Sequence, residues 1–187
     1  MEVTQKMGAW KINVVTEAMP EEIASALGKL DNLVGASYKP IAYLGSQIVH
    51  GVNYAVLAEQ TILCAGSAKN IVLIVFNVRQ APDAHPEVSL VSIQRVLEGC
   101  PMGTCGGVVI DPQVPVPEEA MKAFKSVMAG FVGSEVKPFA LLATQVVKGV
   151  NYFLAAEVTP VYPGAATGID MVVINDMCDT RKFSTIL

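Results

Sequence analysis

One stretch of this chain occurs twice. Residues 47–59 read QIVHGVNYAVLAE and residues 145–157 read QVVKGVNYFLAAE, so the two copies begin 98 residues apart. That spacing is far too long for a solenoid repeat and matches one small domain. The likeness runs on outside the motif. Met19-Pro20-Glu21-Glu22-Ile23 answers Val116-Pro117-Glu118-Glu119-Ala120, and Tyr38-Lys39-Pro40 answers Val136-Lys137-Pro138. Downstream, residues 70–75 (NIVLIV) answer residues 168–173 (GIDMVV). A duplicated fold follows: repeat one over residues 1–99, a linker over 100–105, and repeat two over 106–187.

Hydrophobic residues make up 52% of the chain and charged residues 16%, the balance of a packed chain rather than a disordered one. The longest purely apolar run, residues 71–76, is too short to cross a bilayer. The opening MEVTQKMGAW lacks the order of a secretory signal, which implies a cytoplasmic protein, or a secreted one whose signal was removed before numbering began. With a net charge of −4 and no Lys/Arg stripe, nucleic acid is not an expected partner, and neither is a membrane. Cys64 has no counterpart in the second repeat, so the cysteines read as reduced thiols, with a Cys100–Cys105 bridge across CPMGTC left open.

Each repeat opens on a short strand-like stretch, residues 10–15 and 107–111. A helix follows, with Pro20 or Pro117 at its start and two glutamates in its first turn, where they complement the helix dipole. The apolar stripes are Ile23, Leu27 and Leu30, and then Met121, Phe124, Met128 and Phe131. Long Val-, Ile- and Tyr-rich segments come next. Their alternation puts Ile48, Val52, Tyr54 and Val56 on one face, toward the helix, with His50 carried along. Repeat one has a further strand pair joined by a proline-containing loop, while the last strand of repeat two is expected to be short or missing. The expected class is α+β, each repeat one helix packed on a twisted antiparallel sheet of about four or five strands.

The segment Gln47-Ile48-Val49-His50-Gly51 with Val52-Asn53-Tyr54, and its copy Gln145-Val146-Val147-Lys148-Gly149 with Val150-Asn151-Tyr152, resembles the first hairpin loop of the cystatins. The resemblance implies two tandem cystatin-like domains and a reversible inhibitor of papain-like cysteine peptidases, not an enzyme, with no cofactor or metal. It further implies a three-part wedge that blocks the peptidase cleft. The parts are an N-terminal glycine, the first hairpin loop, and a second hairpin loop. Gly8 fits the first role in repeat one, and Pro82, Asp83, Ala84, His85 and Pro86 fit the third, in a form closer to the intracellular stefins. In repeat two, Gly106-Gly107 lies in the linker and no second loop is evident, so repeat one is expected to inhibit more strongly. His50 and Lys148 depart from the small residue usual at the tip. The alternative is a non-inhibitory interaction or scaffold pair, in which Gln and Gly merely serve the sheet. A Cys/His nucleophile or zinc site is disfavoured, because His50 and His85 lie in different loops and no His follows Cys105 at metal spacing.

Overall fold

A computed structural model describes residues 8–17, 19–30, 35–63, 68–80, 86–101, 104–178 and 180–187. Contacts divide the chain into two compact units, Met1–Leu97 and Glu98–Leu187. In the first unit, β1 (Trp10–Val15) and α1 (Glu21–Leu30) precede β2 (Ala36–Val49), β3 (Gly51–Ile62), β4 (Lys69–Arg79) and β5 (Glu87–Glu98). The second unit repeats the order with β6 (Val108–Gln113), α2 (Glu118–Val127), β7 (Ser134–Val147), β8 (Gly149–Pro160), β9 (Gly168–Asn175) and β10 (Arg181–Thr185). Each unit has its own five-stranded sheet, ordered β1-β2-β3-β4-β5 in one and β10-β9-β8-β7-β6 in the other. Every strand pair with an assigned register is antiparallel. Among the described residues no helix is long and apolar enough to cross a membrane.

The expected class is corrected by these elements. The chain is mostly β, two antiparallel five-stranded sheets with only two helices among the described residues, and not the α+β pair of helix-on-sheet cystatin-like domains that the motif implied. The helices are ten residues each, whereas the central hairpins are built from strands of 14 and 12 residues. A clean alternation of buried and open positions, as one covered face would give, is also missing. Residues 55–59 of β3 are buried without interruption, as are residues 152–156 of β8. Strands buried on both faces read as continuous apolar runs, and these do apart from Glu59, which is paired with Lys69.

Local chemistry explains where the helices sit and stop. Ile23, Ala26, Leu27 and Leu30 of α1 are buried against Tyr43, Val56, Val72 and Ile74 of the sheet. Burying each of the larger aliphatic side chains contributes about 1.5–3 kcal/mol. In α2, Ala120 and Phe124 do the same against Leu141, Leu154, Val172 and Ile174. Glu118 and Glu119 occupy the first turn of α2 and Lys125 the last, each matched to the dipole end it faces. The helix ends at Val127, with Met128 as its C-cap. Phe131, expected on the helical stripe, therefore lies beyond the helix and stacks on Phe183 of β10 at 5.6 Å between ring centroids.

Candidate functional site

The repeated motif closes the β2–β3 and β7–β8 hairpins. Val49 pairs with Gly51 across the first turn and Val147 with Gly149 across the second, so one residue, His50 or Lys148, stands alone at each tip. So tight a reversal needs a residue with positive φ, and Gly51 (φ 93°) and Gly149 (φ 81°) supply it. The tips are open and apolar at their flanks. Ile48 and Val49 are 40% and 37% exposed; Val146 and Val147 are 70% and 45% exposed. Ile48 is thus not packed on the helix as the alternation suggested, because the hairpin runs past the end of the covered face.

Behind each tip a row of side-chain amides crosses the sheet. Trp10, Gln47, Asn53 and Asn77 stand in register on four adjacent strands. Gln47 Nε2 donates to the Gly8 carbonyl at 2.8 Å, Asn53 Nδ2 to Gln47 Oε1 at 2.8 Å, and Asn77 Nδ2 to Asn53 Oδ1 at 2.8 Å. The Gly8 N–H also donates to the Ile48 carbonyl at 3.0 Å. The second unit repeats the chain of bonds 98 residues on. Gln145 Nε2 donates to the Gly106 carbonyl at 2.9 Å, Asn151 Nδ2 to Gln145 Oε1 at 2.9 Å, and Asn175 Nδ2 to Asn151 Oδ1 at 2.8 Å. Asn77 and Asn175 are buried, where an unpaired amide would be costly, and both are bonded.

The ladder draws three segments together at one end of each sheet. Gly8 and Gly106 lie at the glutamine end, the hairpin tip lies in the middle, and the chain leaving β4 or β9 lies at the asparagine end. Asn77 Nδ2 and Asn175 Nδ2 also reach the carbonyls of the tip residues, His50 at 3.4 Å and Lys148 at 3.2 Å. Gly106, expected to be hampered by its place in the linker, is held by the same bond as Gly8. Repeat two, expected to lack a second loop, has a connection between the antiparallel strands β9 and β10, of which residues 176–178 and 180 are described. Asp176 Oδ1 accepts from the Val150 N–H at 2.7 Å, while the Asp176 N–H donates to the Val150 carbonyl at 3.2 Å. In repeat one, Pro82, Asp83, Ala84 and His85 lie outside the described residues, and Pro86 is exposed at the entry to β5.

Asn77 and Asn175 were missed in the sequence although a signal existed. They sit 98 residues apart, like the glutamines, two residues past the point where the two repeats stop looking alike. Gly51 is also more confined than a free tip would be. A Cβ there would lie 2.6 Å from the Val78 carbonyl oxygen and 2.8 Å from Arg79 Cγ. At Gly149 it would meet Asp176 Oδ1, and Met177 Cγ at 2.8 Å. Close by, burial pushes the Tyr152 phenol up, with Glu119 and Asp176 adding to the shift. The Tyr43 phenol is raised by burial, against a lowering hydrogen bond from Ser46. Cys100, Cys105 and Cys178 are free thiols, and among the described residues no three metal-ligating side chains cluster.

No protein-family model matches this chain, and neither the curated proteins nor the solved structures contain a match to it.

Proposed function

We propose that each unit's hairpin edge is a binding wedge and that the chain is a reversible inhibitor of papain-like cysteine peptidases, as the resemblance of its two hairpin motifs to the cystatin first loop implies. The observation that carries this reading is the amide ladder. It holds an N-terminal glycine, a one-residue tip flanked by open valines, and the end of a neighbouring strand in one narrow line, and it does so twice. A rigid, thin edge suits a narrow cleft, because little conformational freedom is lost on docking. The valines supply apolar contact, and the tip carbonyls bonded to Asn77 and Asn175 fix the turn from behind. Blocking a cleft asks for no chemistry from the inhibitor. The free thiols suit a reducing, intracellular setting.

The test is a titration of papain with the intact chain and with the double variant Val49→Asp, Val147→Asp. Both valines are exposed, so the change leaves the sheet cores alone. Inhibition by the unchanged chain and its loss by at least about thirty-fold in the variant is the expected result, since a lost hot spot costs about 2 kcal/mol or more. Equal inhibition by both proteins contradicts the reading, and so does no inhibition by either.

A further inference from the structure

Residues 79 and 177 occupy one structural position in the two units, and they differ in chemistry. They are 98 residues apart, and each lies two residues past the ladder asparagine. Each packs over the glycine of the hairpin tip. A Cβ at Gly51 would be 2.8 Å from Arg79 Cγ, and a Cβ at Gly149 would be 2.8 Å from Met177 Cγ. Both side chains are exposed on the proposed binding edge, Met177 at 67%. Their anchoring differs as well. Arg79 Nε donates to Asn77 Oδ1 at 3.0 Å, so the guanidinium is tethered with its other donors unassigned to that bond. In the second unit the main chain takes that role. Asn175 Oδ1 accepts from the N–H groups of Met177 at 2.9 Å and Cys178 at 2.8 Å, and the Met177 side chain is left to face outward.

Resting on the inhibitory reading above, we propose that residues 79 and 177 set the selectivity of the two edges. Arg79 directs the first edge to clefts with a carboxylate on the rim beside the slot. Met177 directs the second to clefts with an apolar rim there. Guanidinium pairs with carboxylate through a planar fork of donors, and a thioether adapts to uneven apolar surface. The other charged groups at the edges keep this contrast. Among the described residues, the first edge has His50 at its tip, and the second has Lys148 with Asp176, whose carboxylate is bonded to the Val150 N–H. The second edge therefore carries both signs, and Val146, Val147 and Met177 give it exposed apolar surface beside the tip.

The experiment uses the full chain with one edge silenced at a time, by Val147→Asp to read the first edge or Val49→Asp to read the second. Inhibition constants are measured on two papain-like peptidases, one with an acidic and one with an apolar rim beside its slot, over a range of salt. Arg79→Met is expected to weaken inhibition of the acidic-rim peptidase about tenfold and to flatten its salt dependence. Arg79→Lys keeps the charge without the planar fork, so it should keep the salt dependence and only part of the preference. Met177→Arg is expected to shift the second edge toward the acidic-rim peptidase and to bring salt dependence with it. A selectivity ratio that stays within about twofold in Arg79→Met and Met177→Arg, while inhibition persists, overturns this assignment and leaves the inhibitory reading standing. No inhibition by the unsilenced chain overturns both.

Discussion

The two units end their amide ladders differently, although the ladders start alike. From Gly8 to Asn77 and from Gly106 to Asn175 the bonds correspond one for one, with matching strand registers. At the last oxygen they part. Asn77 Oδ1 is taken by a side chain, Arg79 Nε, and β4 runs on to Arg79. Asn175 Oδ1 is taken by two backbone N–H groups, β9 stops at Asn175, and the chain bends at once over residues 176–178. A side-chain acceptor that caps backbone donors competes with strand pairing, which is how asparagine favours turns. Equivalent asparagines thus sit inside a strand in one unit and cap the turn that ends it in the other.

The largest effect is expected from closing the space at the tips. Gly51→Ala forces a positive φ on an L-residue and drives a methyl group into the Val78 carbonyl, which the sheet holds in place. A loss of about 3 kcal/mol is expected, read as a fall in the urea midpoint. Gly149→Ala meets Asp176 Oδ1 and the Met177 side chain, which have more room to move, so about 1–2 kcal/mol is expected there. If the two substitutions cost the same, the contrast between a backbone wall and a side-chain wall is wrong.

Next in size is the loss of the ladder's end. Asn175→Ala leaves two backbone N–H groups and the Lys148 carbonyl without their partner, at about 2 kcal/mol, and should speed amide exchange at Met177 and Cys178. Asn77→Ala likewise leaves the His50 carbonyl without that donor, but at the oxygen it frees an exposed arginine rather than two backbone N–H groups, so about 1 kcal/mol is expected. Faster exchange confined to residues 176–180 would sharpen the comparison, and equal losses at the two sites would break it.

The smallest effect is a matter of pH. Burial is the main cause of the raised Tyr43 and Tyr152 phenols. A phenol whose folded pKa lies above its unfolded value contributes stability that is fully present below the unfolded pKa of 10.0. That stability is lost as pH rises through the folded value. Both units should therefore weaken above pH 10 or so, and Tyr43→Phe and Tyr152→Phe should each reduce that alkaline loss in a pH series of unfolding midpoints. Tyr152 also faces Glu119 and Asp176, so neutralising Asp176 should ease its shift, whereas no matching carboxylate bears on Tyr43 among the causes of its shift.

Much of this was legible in the chain. The repeat of QIVHGVNY as QVVKGVNY marked both hairpins, and the Pro-Glu-Glu starts marked both helices. The balance between helix and sheet was not, because an amphipathic stripe such as Ile23, Leu27 and Leu30 is easy to see, while strands buried on both faces lose their period of two. Phe131 extended the second stripe in sequence but stacks on Phe183 instead, a contact 52 residues away that no local pattern encodes. The ladder was half visible. Gln47 and Asn53 fall inside the motif, but Asn77 joins them only through strand register, which a one-residue slip would alter.

Amide hydrogen exchange of the intact chain, alone and with active-site-alkylated papain, tests the central claim most directly. Docked edges should slow exchange at His50, Gly51, Lys148, Gly149 and Met177 and leave the exposed strand β5 unchanged. Papain binding that protects β5 or the helices and spares both tips would contradict the account, as would the absence of any protection.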